Sequence, residues 1–166
     1  MNCWHQTARS LAALVVATLG AGCPTVSNQC PLPNTAPDVA SGRGEATRSD
    51  SAAFNEDASW LPGGLGSVDI GLLSMTIDVD QTGSAVDDLI ADAAFPICIP
   101  LAEQSATSGS ANFIDGGFIT DAAHTGGLLL ISNDSDVLAG RFAVDLGNNR
   151  GEELSFSTGQ FRARRR

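Results

Sequence analysis

Leu73-Ser74-Met75-Thr76-Ile77-Asp78-Val79-Asp80 alternates apolar and polar residues without a break, and that period decides the fold. Side chains alternate across a strand, so one face of this segment is apolar and the other polar. Immediately upstream, Val68-Asp69-Ile70-Gly71-Leu72 alternates as well, but the two phases clash at Leu72-Leu73. The clash reads as a β-bulge or a break beside Gly71. Downstream, Gln81-Thr82-Gly83-Ser84 has turn chemistry.

The C-terminal third repeats the theme. Gly127 to Ile131 is a short apolar strand, and Ser132-Asn133-Asp134-Ser135-Asp136 is a polar loop. Val137 to Leu146 returns with Leu138, Phe142, Val144 and Leu146 available for a core. Gly147-Asn148-Asn149-Arg150-Gly151 turns again, and Leu154 to Phe161 alternates. Three consecutive strands with tight polar turns predict an antiparallel meander.

Between these regions, Ser84 to Ala91 starts like a capping box and spaces Val86, Leu89 and Ile90 as a short helix would. Phe95 to Leu101 is an apolar strand that Pro96 and Pro100 confine to an edge or a bulge. Ser105 to Ile114 and Gly117 to Thr120 add further strands. About seven or eight short strands and one possible short helix predict an all-β fold, an antiparallel β-sandwich or small β-barrel ending in the meander.

The N-terminus speaks of destination. Arg9 is the only charged side chain before the apolar run Leu11 to Gly22, and small residues lead to Cys23. A charged start, a short apolar stretch and a small-residue exit make a secretory signal, too short to span a membrane. With cysteine at the exit, residues 1–23 resemble the signal of a bacterial lipoprotein, which implies a lipid on Cys23 as the first mature residue. The usual lipobox has Leu three residues before the cysteine, whereas Leu19 stands four before it, followed by Gly20, Ala21 and Gly22. A second resemblance lies in Gly140-Arg141-Phe142 and Thr158-Gly159-Gln160-Phe161. These G-x-F strands, across residues 127–163, look like the close of small bacterial envelope lipoproteins of uncharacterised function, and imply architecture rather than activity.

The organisation that follows is a signal peptide over 1–22, a Pro/Ser/Gly-rich tether over 23–44, a β-rich domain over 45–163 and a basic tail over 164–166. Stretched out, the tether would reach about 70 Å, and as a coil roughly 25 Å. Losing Arg9 with the signal takes the net charge from −10 to −11, and every basic residue is Arg. Scattered arginines on an acidic domain exclude a nucleic-acid groove. The cluster Arg162 to Arg166 reads as a frayed, solvated end, or as a contact for anionic head groups.

The four cysteines are Cys3, Cys23, Cys30 and Cys98. Cys3 leaves with the signal, so Cys30 and Cys98 are free to pair in an oxidising compartment. The chain-entropy model gives that bridge roughly 4 kcal/mol for a loop of about 69 residues. The alternative is a buried free thiol at Cys98.

Sites for chemistry are few. His124 is the one histidine beyond the signal, and no G-x-S-x-G elbow accompanies it. Asp78 with Asp80, Asp87 with Asp88, Asp134 with Asp136 and Glu152 with Glu153 form close carboxylate pairs. Among them Asp134 and Asp136, in a loop free to wrap, are weak calcium candidates without EF-hand spacing. No cofactor is implied. Trp60, before Leu61-Pro62-Gly63-Gly64, either caps the core at a turn or stands in a binding loop. The whole reads as a non-enzymatic, extracytoplasmic protein, held to the membrane by its N-terminal lipid, with a binding or structural role toward an envelope or extracellular partner. The alternatives are a lipocalin-like carrier of a small apolar ligand and, third, a hydrolase.

Overall fold

A computed structural model describes residues 31–63, 65–78, 95–134 and 136–166. Its strands are β1 (Arg43–Arg48), β2 (Ala53–Leu61), β3 (Leu65–Ile70), β4 (Leu73–Asp78) and β5 (Ile97–Leu101). They continue as β6 (Ser110–Phe113), β7 (Phe118–Ile119), β8 (Gly126–Asp134), β9 (Val137–Gly147) and β10 (Glu153–Arg165). The fold is all-β, and the segment expected to be helical, 84–91, lies outside the described residues.

All ten strands belong to one sheet of order β1-β10-β2-β3-β4-β6-β7-β9-β8-β5, and the additional β10–β9 pairing closes it into a ring. Pairing is antiparallel except where the end of β10 runs parallel to β2, at Arg164↔Ser59 and Arg165↔Trp60. The expected meander is present as β8–β9–β10. One side of every long strand points into the ring, where Trp60, Phe142, Phe156, Phe161, Met75 and Ile77 are among the fully buried side chains of a single core. Burial of such a side chain is worth roughly 1.5–3 kcal/mol.

The phase clash at Leu72-Leu73 is a two-residue hairpin turn, not a bulge. Ile70 pairs directly with Leu73 across Gly71-Leu72, so both face inward although three positions apart. Gly71 sits at φ +55, where a residue without Cβ is favoured. Bulges lie elsewhere: in β10, where register shifts between Phe156 and Gly159, and in β8, between Leu130 and Ser132. The first reverses the inward set of β10. Ser157 and Thr158 are both exposed there, and Thr158 takes φ +53. The inward set therefore changes parity, from Leu154 and Phe156 to Gly159, Phe161 and Ala163.

The two G-x-F motifs interlock. Gly140 lies opposite Phe161 and Gly159 opposite Phe142. A Cβ on Gly159 would stand 2.6 Å from Phe142 ring carbons, and one on Gly140 2.6 Å from the Phe161 ring. Each ring thus lies over the other strand's glycine, a cross-strand device that pins register. The two rings tilt against one another at 6.4 Å.

Both ends of the expected domain differ from the sequence reading. The tether segment is bound to the sheet from Thr35 onward: Arg141 donates from Nε to Thr35 O at 2.9 Å and from a terminal nitrogen to Ala36 O at 3.2 Å. Asp38 N–H then donates to Gln160 Oε1, and Gly42 N–H to Arg162 O. Residues 31–42 form a strap along the outside of β9 and β10, which explains why a proline-rich stretch can be ordered: partners come from the strands beneath. At the other end Arg164 and Arg165 are part of β10, not a frayed tail. Arg166 N–H donates to Trp60 O, and its guanidinium meets Asp69 at 3.2 Å. Trp60 itself is buried inside the ring, its Nε1 donating to Asp136 O.

Candidate functional site

The turns Ser49–Ala52, Gly71–Leu72, Ile114–Gly117 and Asn148–Glu152 gather at one end of the ring. Ser49 N–H donates to Ser155 O, Ile114 N–H to Leu72 O, and the Asn148 side chain to Gly116 O. This is the His124 end; the opposite one, where Trp60, Asp136 and the C-terminal arginines meet, is the Trp60 end.

His124 is placed by its own loop. The Asp121 carboxylate accepts from the N–H groups of Ala123 and His124, both at 2.8 Å, and closes a tight turn. The same oxygen lies 2.9 Å from His124 Nδ1. The N–H groups of His124 and Ala123, and then the His124 ring, hold the Asp121 carboxyl below its ordinary range. The imidazole lies on Gly147 of β9, where a Cβ would collide with the ring. Its Nε2 faces Glu153 Oε1 at 3.8 Å. The array is carboxylate, imidazole, carboxylate; among the described residues no hydroxyl is hydrogen-bonded to the ring.

Beside it Arg48 occupies an inward position of β1 at the mouth of the ring. Its guanidinium lies 5.1 Å from the Phe113 ring centre and 5.9 Å from that of Phe156, and it pairs with Asp50 at 2.5 Å. The Ala52 N–H and Arg48 hold the Asp50 carboxyl below its ordinary range. Arg48 Nε is buried without a hydrogen-bond partner.

Two depressions flank the shared pair Asp145 and Ser155. One, of about 220 Å³, takes in His124 and Glu153; the other, of about 540 Å³, takes in Arg48, Thr125 and the strap residue Leu32. Their walls are hydroxyls, one imidazole, one guanidinium and carboxylates over an apolar floor. That chemistry suits a small polar ligand or a loop of a partner.

The other sequence candidates are elsewhere. Cys98 of β5 is disulfide-bonded, while Cys23 and Cys30 lie outside the described residues. Asp134 and Asp136 flank the β8–β9 turn, where Asp134 pairs with Val137 in the ladder and the Asp136 carbonyl is taken by Trp60 and Arg165. Among the described residues no three His, Cys, Asp or Glu groups converge on a metal position. Asp78 ends β4 opposite Leu65, and Asp80, Asp87 and Asp88 lie outside the described residues. Arg48 was missed by sequence reasoning, because an arginine between Thr47 and Ser49 carries no signal that it points inward.

Comparison with protein-family models, with curated proteins and with solved structures gives no match in any of the three.

Proposed function

We propose that the chain is an extracytoplasmic domain, anchored through a lipid on Cys23, with a binding or structural role at the cell envelope. The observation that carries this reading is the disulfide at Cys98, since such bonds persist in oxidising compartments and are rare in a reducing cytosol. The secretory pattern of residues 1–23 supports the same address. The ring interior supports recognition at the surface over carriage of a ligand inside, because Trp60, Phe142, Phe156 and Phe161 fill it.

Intact mass of the full chain, purified from the membranes of a bacterial host, tests the reading. A species that begins at Cys23 and carries diacylglyceryl and acyl mass is the expected result, with the Cys23→Ala variant released from the membrane. An unlipidated membrane species, or one that keeps residues 1–22, overturns it.

A further inference from the structure

We propose that the His124 end of the ring faces the membrane, with Leu72, Ile114 and Ile119 seated on a zwitterionic lipid surface; this rests on the lipid-anchor reading. Three observations lead there.

The first is an outward aliphatic cluster. Leu72 is 48% exposed, Ile114 65% and Ile119 48%. Leu72 and Ile114 are bonded neighbours through Ile114 N–H and Leu72 O at 3.1 Å. Ile119 pairs with Asn112, which puts it diagonal to Ile114 on the outer face. The three form one stripe across the edges of β4, β6 and β7 rather than scattered positions.

The second is the path of the strap. Pro31 and Leu32 line the depression with Thr47, Thr125 and Ser155, near the His124 end. The strap then climbs past Arg141 and Gln160 to Arg162, at the Trp60 end. The chain therefore arrives from the anchor at the end that carries the stripe.

The third is length. With the strap bound, only Cys23 to Cys30 separates the lipidated residue from Pro31. Eight residues reach about 29 Å when fully stretched. The sheet is roughly 33 Å tall, from the 13 residues of β10 at ordinary rise and barrel tilt. That reach is shorter than the sheet is tall, so chain length favours seating the His124 end, where the strap begins, over the Trp60 end. Exposed Leu61 and Leu65, at the Trp60 end, are then the side turned away.

The charge around the stripe selects the lipid. Asp115 adjoins Ile114, and with Asp50, Asp121, Glu152 and Glu153 it outnumbers Arg48 and Arg150 at the same end, so an anionic surface would repel it.

The test uses the full lipidated chain, checked by intact mass and reconstituted in phosphatidylcholine vesicles whose acyl chains carry bromine. Ile114→Trp and Leu65→Trp are compared with the parent protein, with Leu72→Trp as a second reporter on the same stripe. The tryptophan added at 114, and that at 72, should lose most of its emission to bromine and shift to the blue, while that at 65 keeps its emission. A lipidated protein in which position 65 is quenched and the stripe is not, or in which neither is, overturns the orientation alone. A protein without lipid mass overturns the anchor and the orientation together.

Discussion

The β3–β4 and β9–β10 hairpins line the same core by different means. In β3–β4 six rungs pair without a shift, and Val68, Ile70, Leu73, Met75 and Ile77 fill the inward face. The special backbone conformation is confined to the turn, on Gly71. In β9–β10 the inward face mixes the largest and smallest side chains, Phe142 against Gly159 and Phe161 against Gly140. Its special conformation falls inside the strand, on Thr158. A run of similar aliphatics tolerates an uninterrupted ladder. Reciprocal rings need glycine beneath them and a bulge to bring Gly159 and Phe161 to the inner face.

That difference can be broken at the interlock. Phe142→Ala should cost about 3–5 kcal/mol in denaturant unfolding, because a buried ring leaves a cavity. Gly159→Ala should cost about 1–3 kcal/mol, since the new methyl has no room beside the ring. If ring and glycine act as one unit, the double variant will cost less than the sum by roughly 0.5–3 kcal/mol. Strict additivity would show the interlock to be two independent contacts.

A smaller effect belongs to the first hairpin. Gly71→Ala forces a side chain into a left-handed position and onto the Glu56 side chain, 2.8 Å away. Glu56 is exposed and can yield, so the loss should be about 1 kcal/mol, nearly all from the backbone. A loss as large as that for Phe142→Ala would mean the turn, not the ladder, holds β3 to β4.

The smallest change should be a gain. Thr158 is β-branched at φ +53. Thr158→Gly relieves that strain at the expense of backbone entropy and of a 3.1 Å hydroxyl contact with Thr47, for a net gain of about 0.5 kcal/mol. Destabilisation would instead identify the Thr47 contact as the element that fixes the bulge.

The same contrast explains what the sequence could reveal. β3 and β4 were legible because, from Ser67 to Ile70 and from Leu73 to Asp78, apolar and polar residues alternate strictly, and the phase clash was a hairpin in disguise. The meander was legible from its apolar runs and polar turns, but the bulge in β10 was not, since Ser157-Thr158-Gly159 reads as a continuing alternation. β1 was silent: its inward positions are Gly44, Ala46 and Arg48. Gly44 is small because Ile70 fills the space above it, a long-range cause that no local pattern records. β2 was hidden by Glu56, in the inward phase yet exposed. Of the site, His124 was visible as a lone histidine, but Glu153 and Gly147 come to it only through pairing of distant strands. The strap was invisible because its hydrogen bonds use its backbone.

β10, last of the ten strands, lies between β1 and β9 and touches β2. Its contacts are the most distant in sequence that the ring possesses, so closure has a high contact order and folding should be slow, in milliseconds to seconds. A chain threaded from its N-terminus cannot shut the ring until residues 153–165 have come through. Until then β1, β2 and β9 keep open edges. Strand order thus acts as a timer, which holds back the native state until the last strand is in place.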